Sequence, residues 1–261
     1  MSDPTPPLVS IVTPSFNQVR YLESTIRSVL VQDYPNIEYI IVDGGSLDGS
    51  VEIIRRYADR LAWWVSEKDL GQTDAINKGF AHASGEILAW LNSDDVYEAH
   101  AVREAVEYLH SHPEIGLVYG DANFIDENGR TIGCFPAAQT DYRRLRRGYV
   151  HIPQQASFWR ADLWRRVGPL DPSFYFAMDY DLWVRLAAQA PLQYVPRLWA
   201  GFRLHAQGKT IAADDRCWPE MLRVHYRDGG SWWGVLPAKY LVRKLVAPLI
   251  NVRRRSKLQP R

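Results

Sequence analysis

The chain has 261 residues, 46% of them hydrophobic, and its 31 Lys and Arg residues nearly balance its 30 Asp and Glu residues. This length and hydrophobic content allow a full core, in one large domain or in one domain with an appendage. The near-zero net charge gives no global basis for nucleic-acid binding, so we expect no nucleic-acid partner and look for local charged patches instead.

The cysteines and the N-terminal segment bear on the compartment. Cys134 and Cys217 are isolated, with no CxxC or Cys/His spacing, so the sequence predicts neither a zinc site nor a disulfide framework. Residues 1–10 lack the basic and apolar regions of a signal peptide, and no apolar run approaches the ~20 residues that span a bilayer. We therefore expect a cytoplasmic protein.

Strand-like and helix-like segments alternate along the first half of the chain. Runs rich in β-branched residues are followed by segments with apolar residues at helical spacing. This alternation predicts an α/β fold, in which right-handed βαβ units form a mostly parallel central sheet flanked by helices. The predicted strands are 8–16, 37–46, 62–67 and 86–93, and the predicted helices are 21–32, 50–61, 73–83 and 99–113.

Polar side chains follow all four predicted strands, in the segments Thr13 to Asn17, Asp43 to Ser46, Glu67 to Asp69 and Asn92 to Asp95. In an open parallel sheet, ligands bind outside the carboxyl ends of the strands, so we expect the four segments to line one crevice. The alternative for any single segment is that its Asp, Asn, Ser and Gly residues only mark turns and helix caps. The four segments together favour a ligand site.

The fourth predicted strand ends on two adjacent carboxylates, Asp94 and Asp95. Their repulsion is relieved when a divalent cation binds between them and a diphosphate, and hard oxygen ligands suit Mg²⁺ or Mn²⁺. Such an ion would also neutralise charge on a departing phosphate. Neither a P-loop nor a GxGxxG motif follows the first strand, which disfavours a P-loop kinase and a Rossmann dehydrogenase.

Several motifs in order carry a family resemblance: "VSIVTPSFNQ" at 9–18, "IIVDGGSLDGS" at 40–50, "WLNSDD" at 90–95 and "MDYDLWVRL" at 178–186. Over about residues 8 to 205 the chain resembles the family 2 glycosyltransferases, which are inverting enzymes of GT-A fold. The resemblance implies transfer of a sugar from a nucleotide diphosphate donor, commonly a UDP-sugar, with Mn²⁺ or Mg²⁺ on the diphosphate.

The resemblance also implies roles for individual residues of the donor site. Asn92 to Asp95 match the DXD-type motif of the family, in which Asp95 would be the metal ligand and Asp94 would lie near the ribose or assist the metal. Phe16 is the candidate to lie against the base. The positions that match the nucleoside pocket are Pro14, Ser15, Phe16, Asn17 and Asp43.

The chain departs from the family pattern at two places in the donor site. Relatives usually carry a second acid directly after the first in this segment, and this chain has Gly44 instead, so the base contact of that acid has no counterpart at position 44. In the segment that contains Asn77, many relatives carry Arg directly before the Asn, whereas this chain has Ile76 there. Asn77 is still expected in the donor site, and Lys78 is a candidate for the phosphates.

The second half of the chain contains the candidate base. Asp179 and Asp181 fall in the first turn of a helix predicted within 174–188, where N-terminal capping alone would favour acids. An inverting transfer needs one general base beside the acceptor hydroxyl. The resemblance gives this role to Asp179, although Met178 replaces the usual preceding Glu, and it leaves Asp181 as a reserve or as a structural partner of an Arg.

The segment 199–210 resembles the place where a basic residue and a His approach the diphosphate in relatives. Arg203 can form a planar fork to phosphate oxygens, and His205 can bind the metal or donate to phosphate. A packed histidine with satisfied hydrogen bonds is the alternative for His205. The polar loop 206–215 is a candidate to close over the donor.

The acceptor site is specified less closely. His151, Gln154 and Gln155 match the acceptor pocket of the family and are candidates to bind sugar hydroxyls, and Trp159 is a candidate to stack on a ring. Core packing of the tryptophan is the alternative. The block 142–148 contains four arginines, which suit either a solvated face or an acceptor diphosphate.

The C-terminal segment is basic and apolar. No acid follows Asp228, so residues 229–261 are expected to form a basic amphipathic extension on an anionic membrane surface, or else a docked helix with a basic end. The preceding glycosyltransferase domain would span 1–228, with a nucleotide-binding half of about 8–120 and an acceptor and catalytic half of about 121–228.

A membrane-bound extension implies a saccharide or polyprenyl-diphosphate-linked acceptor, at the inner face of the plasma membrane. Two other functions stay open at this point. A nucleotidyltransferase that makes a sugar nucleotide shares the sheet and the metal carboxylates, but it typically has a glycine-rich basic loop after the first strand. A non-catalytic membrane-associated subunit would need neither Asp95 nor Asp179.

Overall fold

A computed structural model describes residues 6–209 and 216–245. Its strands are β1 (Val9–Ser15), β2 (Ile37–Asp43), β3 (Trp63–Ser66), β4 (Ile87–Trp90), β5 (Val96–Tyr97), β6 (Leu117–Ile125), β7 (Thr131–Cys134), β8 (Ser157–Arg160) and β9 (Leu192–Arg203). Its helices are α1 (Leu22–Leu30), α2 (Ser50–Arg56), α3 (Gln72–His82), α4 (Ala101–Ser111), α5 (Tyr142–Arg146), α6 (Ala161–Val167), α7 (Met178–Ala187), α8 (Cys217–Arg227) and α9 (235–245).

The strands of the described ranges form one nine-stranded sheet in the order β3-β2-β1-β4-β8-β6-β9-β5, with β7 paired to β6. The first four of these strands are mutually parallel, as the alternation of strands and helices predicted. In the second half the sheet is mixed, because β8 runs antiparallel to both β4 and β6 while β6 and β9 are parallel. The α/β class is confirmed.

Both faces of the sheet are buried, which explains why the strands read as continuous apolar runs. On one face Val12 and Trp90 pack beneath α3 and α7, and on the other face Ile11 and Ala89 pack beneath α1 and α4. Trp159 is fully buried, and its ring centroid lies 5.4 Å from that of Trp90, so core packing is the role the structure gives it.

The strands stop where the polar segments begin. The last backbone bond of β4 to its neighbour runs from the Leu91 N–H to the Val12 carbonyl, at 2.9 Å, and a turn follows in which the Asp95 N–H donates to the Asn92 carbonyl at 3.1 Å. The observed strand β4 (Ile87–Trp90) is therefore shorter than the predicted strand 86–93. The acid pair lies on a tight turn outside the sheet.

The start of the predicted extension is docked on the domain. Helix α9 buries Leu236 in the same core as Met221 and Leu145, while Leu241 and Leu245 on its outer side are exposed. None of the described helices is long and apolar enough to cross a membrane. Residues 246–261 of the predicted extension and 210–215 of the predicted closing loop lie outside the described residues.

Gly79 on α3 allows that helix to pack closely on β1, since a Cβ at position 79 would lie 2.4 Å from Cγ1 of Val12. We expect Gly79→Ala to lower the free energy of unfolding by about 1–3 kcal/mol, because overpacking outweighs the better helix propensity of Ala. Urea denaturation measures the change. Gly133→Ala is the matched control, since its added methyl would make an ordinary 3.5 Å contact with Phe124. Equal stability of the two variants would contradict the close packing.

Candidate active site

The carboxyl ends of β1 to β4 meet the end of β9 and the start of α7 around a cavity of about 1030 Å³. All four polar segments predicted to line one crevice contribute residues to its wall. The predicted site residues that line the cavity are Pro14, Ser15, Phe16, Asp94, Asp95, Asp179, Arg203 and His205.

Two predicted site residues build the wall from behind. Asp43 is fully buried, and its carboxylate accepts hydrogen bonds from the Ser46 N–H at 2.8 Å and from the Ser66 hydroxyl at 2.7 Å. Asn17 has a φ of 52° and accepts from the Leu47 N–H through Oδ1 at 3.1 Å. Both side chains therefore fix the loop after β2, rather than lining the cavity.

Asn77 lies apart from the cavity. Its Nδ2 donates to the Leu170 carbonyl at 2.8 Å, and its Oδ1 accepts from the Leu170 N–H at 2.9 Å, so the amide ties α3 to the segment before α7. The neighbouring Lys78 pairs with Glu67 at 2.6 Å. Among the described residues, Asn77 and Lys78 therefore contact other parts of the protein, and neither lines the cavity.

The two acids at the end of β4 have different environments. Asp95 is 1% exposed, and its Oδ1 accepts from the backbone N–H of Arg203 at 2.9 Å. Burial, and then the neighbouring charge of Asp94, raise the pKa of Asp95 well above its usual range. Asp94 is more open, and its Oδ2 lies 2.9 Å from Nε2 of His205.

Arg203 is buried beside this turn and is bound mainly to carbonyl groups. Its Nε donates to the Asp94 carbonyl at 2.8 Å and its Nη1 to the Asp126 carbonyl at 2.9 Å, and the guanidinium lies 5.1 Å from the ring centre of Tyr21. The Arg203 guanidinium, which the sequence predicts to bind phosphate, therefore holds the backbone of the turn Asn92 to Asp95, which we call the acid turn. Arg203 is nevertheless among the residues that line the cavity.

A chain of amide groups crosses the cavity wall behind the acids. Lys209 donates to Gln72 Oε1 at 2.8 Å, Gln72 Nε2 donates to Asn92 Oδ1 at 2.7 Å, and Asn92 Nδ2 donates to Gln154 Oε1 at 3.1 Å. The chain ends at the Trp90 carbonyl, which accepts from Gln154 at 2.8 Å. Sequence reasoning missed Gln72 and Lys209, because the signal that joins them is spatial.

Asp179 and Lys209 both line the cavity and both have shifted proton affinities. Burial raises the pKa of Asp179 to about 6, although its Oδ1 accepts from the Tyr180 N–H at 2.7 Å. Burial lowers the pKa of Lys209 to about 8, and the Lys209 ammonium lies 3.8 Å from the ring centre of Tyr175. A carboxylate with a pKa near 6 is suited to general base catalysis at neutral pH.

Asp181 has a different role from Asp179. Its carboxylate is fully buried and pairs with Arg185 at 2.9 Å and with Arg227 at 2.5 Å. The Arg185 pair lies within α7, and the Arg227 pair joins α7 to α8. The sequence alternative of a structural partner for an Arg is therefore the one that the contacts of Asp181 support.

Two of the predicted acceptor residues line the cavity. Gln154 and Gln155 line it together with Val150, and Nε2 of Gln155 is buried without a hydrogen-bond partner among the described residues. His151 lies outside the lining and is 3.0 Å from the Pro136 carbonyl through Nδ1.

The acid turn fits a divalent cation. Asp94 Oδ2 and His205 Nε2 are 2.9 Å apart, about the separation of two adjacent ligands that each lie about 2.1 Å from one ion. Carboxylate oxygens and a His nitrogen suit Mn²⁺, and a cation would offset the repulsion between Asp94 and the buried Asp95. No cluster of three or more His, Cys, Asp or Glu ligands is found in the described part of the chain.

Comparison with known proteins decides the family. Residues 10–166 match the family described as Glycosyl transferase family 2. The chain belongs to this family and is a glycosyltransferase. This family 2 glycosyltransferase is 35% identical over 184 residues to an uncharacterized glycosyltransferase of Mycobacterium tuberculosis strain H37Rv, and the match covers 69% of each chain.

Two solved structures resemble the glycosyltransferase in fold. S. aureus TarS in complex with UDP-GlcNAc matches with a TM-score of 0.69 at 16% identity, over 84% of this chain and 65% of that one. A Pyrobaculum calidifontis mannosyltransferase in complex with GDP-Man and Mn²⁺ matches with a TM-score of 0.65 at 21% identity, over 90% of this chain and 69% of that one. This likeness confirms the GT-A fold.

Proposed function

We propose that this glycosyltransferase transfers a sugar, with inversion, from a UDP-sugar to a hydroxyl of a saccharide or a polyprenyl-diphosphate-linked saccharide, in the presence of Mn²⁺ or Mg²⁺. One observation carries the proposal. Asp179, a carboxylate whose pKa is raised to about 6, lines the same cavity as the turn of Asp94 and Asp95. A base and a diphosphate site on one cavity are what a single-displacement transfer requires.

Asp179 is the general base of this proposal. At neutral pH it is ionised, and it accepts the proton of the acceptor hydroxyl as that oxygen attacks the anomeric carbon on the face opposite the leaving diphosphate. In the first turn of α7, the Tyr180 N–H donates to its Oδ1. Its other oxygen is then available to the acceptor.

An oxygen of the Asp94–Asp95 pair and Nε2 of His205 would hold the divalent cation against the donor diphosphate. When bound, the cation neutralises charge on the departing nucleoside diphosphate. Arg203 keeps the acid turn in place through its backbone N–H and guanidinium. Lys209 brings a further positive charge to the cavity wall, where it would attract the diphosphate.

The acceptor proposal depends on the C-terminal surface. Helix α9 exposes Leu241, Val242 and Leu245 on its outer side, and the exposed Trp233 precedes it. Basic residues surround this apolar face, and no acid occurs after Asp228. An apolar stripe bordered by cations suits the surface of an anionic bilayer, so the enzyme would work at the inner membrane face on a lipid-linked acceptor.

A donor screen tests the proposed reaction. Nucleotide release is measured for a panel of sugar nucleotides with Mn²⁺, on the native chain and on the variants Asp95→Ala and Asp179→Asn. We expect release from a UDP-sugar, and a loss of about 10²–10⁴-fold in Asp179→Asn, because a positioned general base contributes that much. Asp162→Asn, an exposed acid outside the cavity, is the control. Release that is indifferent to both active-site changes would refute the mechanism.

The pH dependence gives a second prediction. The base must be ionised, so kcat/KM should rise with pH through an apparent pKa of about 6, the value to which burial raises Asp179. If the Lys209 ammonium attracts the diphosphate, kcat/KM should fall again near pH 8, where burial places the pKa of Lys209. The variant Lys209→Met should lose only the falling limb. A flat profile from pH 5 to pH 9 would contradict both assignments.

Vesicle sedimentation tests the membrane surface. Replacing Leu241, Val242 and Leu245 by Ser should abolish binding to vesicles that contain anionic lipid, because it removes the outer apolar stripe and leaves the docked Leu236 in place. The matched control replaces Val31, Leu47 and Ile132 by Ser; these side chains lie outside α9 and are 67%, 96% and 58% exposed, against 61%, 59% and 68% for the α9 residues. Undiminished binding of the α9 variant would exclude this surface as the membrane contact.

A further inference from the structure

In the cavity wall, the carboxylate of Asp69, after β3, occupies the space that a side chain at position 44, after β2, would need. A Cβ added to Gly44, after β2, would lie 2.7 Å from Oδ2 and 3.2 Å from Oδ1 of Asp69, which follows β3. The present position of Asp69 therefore requires a glycine at position 44. Both residues line the cavity.

Asp69 has one oxygen engaged and one oxygen free. Its Oδ1 accepts from the backbone N–H of Gly71 at 2.8 Å, which caps the loop before α3. Within the ranges 6–209 and 216–245, no group donates a hydrogen bond to Oδ2, the oxygen that faces position 44. A cavity-lining carboxylate oxygen of this kind offers a strong acceptor to a ligand N–H.

Other residues that line the same cavity suit a flat heterocycle. Phe16 lines the cavity with a side chain that is 58% exposed, so its ring face is open to a ligand. Ser15 lines it with a hydroxyl that is buried and has no hydrogen-bond partner in the described structure. The exposed Lys68 also lines the cavity. The same cavity therefore offers an aromatic side chain, a free acceptor oxygen on Asp69, and hydroxyl and amine donors.

We infer that Asp69 recognises the imide N–H of a uracil base through Oδ2, in place of a residue at position 44. Uracil presents one N–H between two carbonyl oxygens, which matches a single free carboxylate oxygen in a cavity that is also lined by donors. Guanine presents two adjacent donors and would need both oxygens, of which Oδ1 already accepts from Gly71. Cytosine presents a bare ring nitrogen at the same place, which a carboxylate repels.

This inference rests on the proposed function and names the base of its donor. Two roles of Asp69, base recognition and support of the loop, predict different effects of its substitution. If Asp69 only capped the Gly71 N–H, its substitution would weaken the binding of all nucleotides alike. If it recognises the imide, its change alters the preference for UDP over CDP.

Calorimetric titration of UDP, CDP and GDP with Mn²⁺ tests the assignment. Asp69→Asn keeps an oxygen for the Gly71 N–H and places an NH₂ group where Oδ2 lies, opposing the imide N–H and suiting the cytosine nitrogen. We expect the Kd for UDP to rise roughly tenfold to a hundredfold and the preference for UDP over CDP to fall by the same factor, the usual effect of removing a hydrogen bond to a charged group.

Two further variants sharpen the test. Gly44→Ala should weaken the preference for UDP as well, because its methyl displaces the carboxylate of Asp69 without removing its charge. Asp74→Asn is the matched control, since Asp74 accepts from the neighbouring Leu70 N–H at 3.1 Å and lies outside the cavity lining. It should leave the preference unchanged. Thermal unfolding of each variant shows whether it is folded.

The outcomes separate the two proposals. A native chain that binds no nucleotide refutes the proposed function and the inference with it. A native chain that binds UDP but does not prefer it over CDP and GDP overturns the inference alone. So does a folded Asp69→Asn variant that retains the native preference for UDP over CDP.

Discussion

The backbone N–H of Arg203 donates to the buried carboxylate of Asp95 over 2.9 Å, and the rest of the site depends on this bond. It ties the end of β9 to the turn after β4, so the last strand of the second half closes on the acid motif of the first half. The Arg203 guanidinium supports the same turn by donating to the carbonyls of Asp94 and Asp126. Because His205 lies two residues beyond Arg203, the same closure brings the imidazole to Asp94.

A chain of hydrogen bonds through Asn92 is a second constraint on the turn. The amide chain from Lys209 through Gln72 and Asn92 to Gln154 has every donor pointing in one direction, an arrangement in which successive hydrogen bonds strengthen one another. It links the segment after β9 to α3 and to the far wall of the cavity. The acid turn is therefore held both by Arg203 and by this chain, while Asp94 and Asp179 line the cavity.

The sequence predicted the first half of the fold well, because both sheet faces are covered and the strands read as apolar runs between amphipathic helices. It also placed the polar strand ends in one crevice, since parallel strands end on the same edge. It could not predict which of these polar side chains face the cavity and which support the neighbouring loops. Asp43 and Asn17 fix a loop, and the Arg203 fork is bound to carbonyls, through partners that only the fold brings near.

The same limit applies to Asp69 and Gly44. They lie 25 positions apart at neighbouring strand ends, and only their proximity in space shows that one occupies the room left by the other. The antiparallel β8 is a comparable case, because pairing with both β4 and β6 is set by tertiary packing. A single sequence contains local patterns that predict elements, whereas contacts between distant strand ends emerge only when the sheet is assembled.

The central claim is that the acid turn holds a cation against a nucleoside diphosphate in the cavity that Asp179 lines. Diffraction at the manganese edge from crystals grown with UDP and Mn²⁺ tests it most directly. We expect one anomalous peak about 2.0–2.5 Å from His205 Nε2 and from an oxygen of the Asp94–Asp95 pair, in contact with the diphosphate. Bound UDP without a manganese peak at this turn, or with a peak elsewhere, would contradict the account.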